Sequence, residues 1–137
     1  MGRMAYSMKK ASNRSILVIE NEDRILNSLQ QKLKEAGFIV ISSKDGFEGY
    51  ERAKQEMPDL VLVEDRLPVM SGLKVCRLLK FDERYKMINI IVMGSKSAIS
   101  EVEKEDYGFD ALITKPFRFG DLREVIDSII NSTNNDD

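Results

Sequence analysis

The chain is predicted to fold as an α/β domain, a doubly wound parallel sheet of five strands in the order 2-1-3-4-5 with helices on both faces. Three observations predict it. Short apolar runs alternate with segments of helical period, which is the pattern of repeated parallel βα units. The first run, Ile16, Leu17, Val18 and Ile19, is unbroken, as in a strand covered on both faces. Right-handed crossovers that leave helices on both faces then permit few other strand orders.

After that first strand, Ile25, Leu26, Leu29, Leu33 and Ala36 recur at helical spacing, and Gly37 can take the left-handed conformation that ends a helix. Phe38, Ile39, Val40 and Ile41 make the second strand. Phe47, Tyr50, Ala53 and Met57 mark the inner face of a second helix, stopped by Pro58. Residues 60–63 are the third strand, and Leu73, Cys76 and Leu79 set the face of a third helix with Leu78 beside them. Residues 90–93 read as the fourth strand. Ile99 and Val102 sit on a single, weakly amphipathic fourth helix, and Ala111, Leu112 and Ile113 form a short fifth strand. Leu122, Val125, Ile126, Ile129 and Ile130 give the last helix a strong apolar stripe, with Asp121 and Glu124 placed in its first turn. This is the flavodoxin-like plan, in which ligands bind outside the carboxyl ends of the strands. The residues that follow the strands are therefore the functional candidates: Glu20 to Asp23, Glu64 and Asp65, Gly94 and Ser95, and Thr114 to Phe117.

Composition narrows the function classes. The 137 residues, 42% hydrophobic and 32% charged, suit one globular domain with a sizeable core. A net charge of -2 supplies no basic field for nucleic acid or anionic lipid. The single cysteine, Cys76, forms no internal disulfide, and without histidine there are neither mixed Cys/His zinc sites nor imidazole-based triads. No apolar run approaches the roughly 20 residues that span a bilayer, and no secretory signal is visible, so a cytoplasmic location is expected. Residues 1–14 read as a flexible basic leader, 15–131 as the domain and 132–137 as a frayed polar tail. Cys76 reads as a small core residue.

From Pro58 to Gly72 a buried-strand pattern runs into the acidic pair Glu64 and Asp65, with Pro68 four and Gly72 eight positions after Glu64. This segment resembles the phosphorylation loop of CheY-like response-regulator receiver domains, and the resemblance covers about residues 14–130. In that family an aspartate at the position of Glu64 accepts phosphate. The resemblance further implies an acidic pair at Glu20 and Asn21 that holds Mg²⁺, a switch hydroxyl at Gly94, a switch aromatic at Leu112, and a lysine, Lys115, that pairs with the acceptor or its phosphate. It also implies a cis peptide bond before Pro116.

Several of these positions depart from the family pattern. Asn21 carries no charge, so any metal site would be weak and would rest on Glu20 and Glu64, and no cofactor is expected. Glu22 and Asp23 sit where the first helix begins and read as capping or solvated. Gly94 offers no hydroxyl, although Ser95 stands beside it, and Leu112 is not aromatic. Glu64 is a partial mimic of a phosphorylated aspartate, with one charge on a longer side chain. A salt bridge from Lys115 to Glu64 is predicted. Asp65 is the alternative acceptor, but a shift of one residue turns its side chain to the other face of the sheet unless the strand bulges.

The reading is a stand-alone, atypical receiver that acts as a phosphorylation-independent protein-interaction module of two-component-type signalling, not an enzyme. The alternative is a regulator that accepts phosphate from a histidine kinase on Asp65. An enzyme or dinucleotide-binding domain on the same plan would need a glycine fingerprint where this chain has Glu20, Asn21, Glu22 and Asp23. The expected partner is an effector or sensor kinase, with a homodimer as a further option and neither nucleic acid nor membrane. Contact is expected on the face of the fourth helix, fifth strand and last helix, which would expose Phe117 and Phe119.

Overall fold

The computed structural model describes residues 14–135. Its five strands are β1 (Ser15–Ile19), β2 (Ile39–Ser43), β3 (Leu60–Glu64), β4 (Asn89–Ser95) and β5 (Ala111–Lys115). All pair in parallel, in the order β2-β1-β3-β4-β5, as predicted. The helices are α1 (Asp23–Glu35), α2 (Gly46–Glu56), α3 (Gly72–Lys80), the one-turn pieces α4 (Lys96–Ile99) and α5 (Lys104–Tyr107), and α6 (Phe119–Asn135). Among the described residues, no helix is long and apolar enough to cross a membrane.

Strand alternation divides the core into two layers. Ile16, Val18, Leu60, Leu62, Ile91 and Met93 pack with Leu26, Leu29 and Leu33 of α1 and Leu122 and Ile126 of α6. Leu17, Ile19, Val61, Val63, Ile90 and Val92 pack with Ala53 of α2 and Val75, Cys76 and Leu79 of α3. The parity carries past the strand ends and sets the site. Glu20, Glu64 and Lys115 continue the α1/α6 face, whereas Asp65 continues the α2/α3 face.

Three expectations are corrected. Phe47 and Met57 do not face inward. They are exposed, and α2 instead buries Gly46, Gly49 and Ala53. The physical reason is a close approach: a Cβ on Gly49 would lie 2.4 Å from Cδ1 of the fully buried Ile19, so small residues let α2 sit down on the sheet. The fourth helix is not continuous. Ile99 is buried and Val102 half-buried, but positions 103, 105 and 106 are Glu, Glu and Asp, so a longer helix would have no apolar stripe to bury. The last helix, in turn, runs through Asn135 rather than ending before a tail at 132, because neither Gly nor Pro interrupts it and Leu122, Ile126 and Ile130 anchor it. Of the leader, only Arg14 lies within the described residues.

Candidate functional site

At the carboxyl ends of β1, β3 and β5 three charged side chains meet. The Lys115 ammonium donates to Glu20 Oε1 at 2.6 Å and to Glu64 Oε1 at 2.5 Å. The salt bridge expected between Lys115 and Glu64 is therefore present, and Glu20 is a second partner that motif spacing did not suggest. Parity could have found it, since all three residues lie on one face, and only a side chain as long as lysine can cross β4 from β5 to reach β3. The Glu20 and Glu64 side chains are 1% and 9% exposed. Their remaining oxygens are also taken: Glu22 N–H donates to Glu20 Oε2 at 3.2 Å, and Arg66 N–H to Glu64 Oε2 at 3.0 Å. Burial alone would lower the Lys115 pKa, but the hydrogen bonds it donates to Glu20 and Glu64 outweigh that and hold the ammonium above its ordinary value. Lys115–Pro116 is a cis peptide bond, as expected.

The donor set does not fit Mg²⁺. The ion would need carboxylate oxygens with open lone pairs. Here the Lys115 ammonium sits against Oε1 of both carboxylates and puts a positive charge where the ion would go, a backbone N–H donates to each Oε2, and Asn21 is exposed. No group of three or more His, Cys, Asp or Glu suited to a metal occurs among the described residues. The ammonium does the neutralising that a cation would do.

Asp65 faces away from this triad. Its Oδ1 accepts the Leu73 N–H at 3.3 Å, in the first turn of α3, where a carboxylate complements the helix dipole. Burial, followed by the neighbouring charge of Glu64, raises its pKa. The β3–α3 loop is tied down at the same place, with Gly72 N–H donating to Asp65 O at 2.9 Å.

The switch positions are filled by packing. A Cβ on Gly94 would lie 2.8 Å from Ile99 Cγ2, so buried Ile99 occupies the space a hydroxyl-bearing side chain would need. Ser95 caps α4 by accepting from Ala98 N–H at 3.2 Å. Leu112 packs half-buried against the α2/α3 layer. Among the starting candidates, Asp23 is exposed and paired with Lys44, and Glu22 makes no side-chain cap. Phe117 and Phe119 do not project from the fourth-helix side. They pack against the α1/α6 layer and line a cavity of about 530 Å³ with Ile25 and Leu29 of α1.

Comparison with known proteins agrees with the fold. The family model of the response regulator receiver domain matches residues 16–127. The alkaline phosphatase synthesis transcriptional regulatory protein PhoP of Bacillus subtilis is 31% identical over 119 residues, covering 86% of this chain and 49% of that protein. The chain thus spans about half the length of this curated relative. A response regulator receiver domain protein from Clostridium thermocellum superposes with a TM-score of 0.80 at 22% identity, covering 88% of this chain and 97% of that one. The receiver domain of the sensor histidine kinase PA1611 of Pseudomonas aeruginosa, which has magnesium coordinated in its active-site cleft, gives 0.74 at 23% identity over 85% and 96% of the two chains.

Proposed function

Because the chain belongs to the response regulator receiver domain family, we propose that it is an atypical receiver of two-component signalling that binds a protein partner without being phosphorylated. Receiver domains are generally non-enzymatic signalling modules, and this one is read as no exception. The observation that carries the proposal is the closed triad. Glu64 stands at the acceptor position with both oxygens engaged, Lys115 neutralises it together with Glu20, and no metal seat is left between them. Phosphoryl transfer needs a carboxylate oxygen free to attack and a cation to offset the incoming charge. Here Glu64 Oε1 and the Lys115 ammonium are already engaged with each other, and the ammonium is shared with Glu20.

Ile99 beneath Gly94 and the aliphatic Leu112 support a second part of the reading, that the surface is fixed rather than switched. A population shift needs an element with different contacts in two states. The domain is placed in the cytoplasm, with an effector or sensor kinase as the class of partner. At the expected contact face of α4, α5, β5 and α6, the exposed side chains of α4 and α5 are mostly charged or hydroxyl-bearing, which supports polar contact there.

The test is intact-mass spectrometry after incubation with acetyl phosphate and Mg²⁺, beside Asp65→Asn. No adduct is expected on either protein. An adduct on the parent that Asp65→Asn abolishes would overturn the proposal and establish the alternative, a phosphorelay regulator with a displaced acceptor. Glu64→Ala separates a working mimic from a silent one, because weakened partner affinity is expected only if the Glu64 charge holds the binding conformation.

A further inference from the structure

The outward side of α3 and its C-cap carry Lys74, Arg77, Leu78 and Phe81 at the i, i+3, i+4, i+7 spacing by which one helix meets another. The inward side, with Leu73, Val75, Cys76 and Leu79, already fills the core, so the outward row is surplus to folding. Phe81 is 59% exposed, and Leu78 is exposed beside it. Arg77, Leu78 and Phe81 line a groove of about 640 Å³ with Tyr50 of α2 and the charged turn of Asp82, Glu83 and Arg84, and Lys74 stands beside it. Phe47 extends the apolar surface along α2 and is 50% exposed.

A second exposed apolar residue, outside that groove, stands in the loop before α3. Val69 lies one residue beyond Pro68, whose carbonyl accepts the Gly46 N–H at the start of α2. It is 80% exposed and has φ 74°, a left-handed conformation that a β-branched residue adopts only at a cost of about 1–3 kcal/mol. Folding gains nothing from an apolar side chain held in solvent on a strained backbone. A contact with another molecule would.

Charge selects the occupant. Of the carboxylates nearby, Glu51 pairs with Lys54, Asp82 with Arg84, Glu83 with Lys86 and Asp110 with Lys80, while Asp65 lines a neighbouring pocket with Lys74 and Arg77 and forms no ion pair with either. Lys74 and Arg77 are left without an acidic partner among the described residues, and the Arg77 guanidinium lies 6.0 Å from the Phe81 ring centroid. We propose that the α2/α3 groove binds an amphipathic helix of a separate protein, with apolar side chains on Leu78, Phe81 and Tyr50 and carboxylates on Lys74 and Arg77. A second copy fits less well, because a two-fold helix pair centred here brings Arg77 against its own mate. This inference adds a second surface, apart from the face of α4, α5, β5 and α6, to the phosphorylation-independent reading above and rests on it.

The probe is a synthetic 18-residue helical peptide with Leu and Phe on one face flanked by Glu, compared with the same peptide carrying Lys in place of Glu. Binding is followed by fluorescence anisotropy and mapped by amide chemical shifts on the full chain. The acidic peptide is expected to bind at least tenfold more tightly than the basic one and to shift α3 and α2 amides. Arg77→Glu and Phe81→Ser, both at exposed positions, are each expected to weaken it at least tenfold with unchanged circular dichroism. Equal binding of the two peptides, shifts confined to the α1/α6 side, or a dimer in sedimentation that Phe81→Ser dissolves would each overturn the proposal. Repeating the titration with acetyl phosphate and Mg²⁺ keeps the two readings apart: an affinity that changes only then would sink the phosphorylation-independent reading and leave the surface standing.

Discussion

Lys115→Met removes the only ammonium between two carboxylates that are almost wholly buried. Glu20 Oε1 and Glu64 Oε1 bind one nitrogen at 2.6 and 2.5 Å, so they lie within about 5 Å of each other. At an effective dielectric of about 20, two unit charges at that separation repel by about 3 kcal/mol. Removing one partner of a buried ion pair costs about 3–5 kcal/mol by the same logic, since the charge left behind is no longer compensated. The variant is therefore expected to lose about 3 kcal/mol in urea denaturation followed by circular dichroism at pH 7.5. Adding Glu64→Gln should return at least half of the loss.

The pH dependence has a definite sign. In the parent, the raised Lys115 pKa means that its contribution is complete below 10.5 and fades only as pH climbs through the higher folded value. Mg²⁺ should stabilise Lys115→Met, where two carboxylate oxygens have become free, and leave the parent unchanged. A loss below about 1 kcal/mol, or a loss that Glu64→Gln does not relieve, would refute the view that Lys115 neutralises the site.

Gly94→Thr is expected to cost about 1–3 kcal/mol, because its Cβ lands 2.8 Å from Ile99 Cγ2, and Gly94→Thr/Ile99→Ala should recover part of that in the same denaturation assay. Burial pushes the Cys76 thiol up to about 12, so at pH 8 an aromatic disulfide reagent should label native protein only as fast as it unfolds, and far faster in urea. Lys80→Met should destabilise by about 3 kcal/mol or more in thermal melts. The Lys80 ammonium, with its side chain only 13% exposed, binds Lys86 O, Ile88 O and Asp110 together.

The sheet was legible because each strand is an apolar run, and period 2 then fixed which of Glu64 and Asp65 would face Lys115. What stayed hidden were contacts that depend on how closely layers approach. Phe47 and Met57 looked like an inner face because they are large and apolar, but the room under α2 was set by Ile19, and only Gly49 and Ala53 fit it. The fourth helix looked continuous because Ile99 and Val102 have helical spacing, and its break follows from the acids that come after them. The absence of a hydroxyl at Gly94 was plain in the sequence. That Ile99 fills the gap was not, since nothing local fixes where that side chain points.

The site and the proposed docking helix are mechanically joined. Glu64 closes β3 and enters the triad. The next residue, Asp65, accepts the Gly72 N–H on its carbonyl and the Leu73 N–H on its side chain, so the start of α3 is tied to the residue adjoining the triad. A Cβ on Gly72 would sit 2.1 Å from the Glu64 carbonyl oxygen, which shows how little slack the junction has. A switchable receiver needs a ligand that distinguishes two arrangements of such a junction, and a 1:99 to 99:1 swing requires about 5.5 kcal/mol of differential binding. On the proposed phosphorylation-independent reading, the pairing of Lys115 with Glu20 and Glu64 takes the place of that ligand, and the outward row of α3 is presented in one orientation for as long as the triad stays closed.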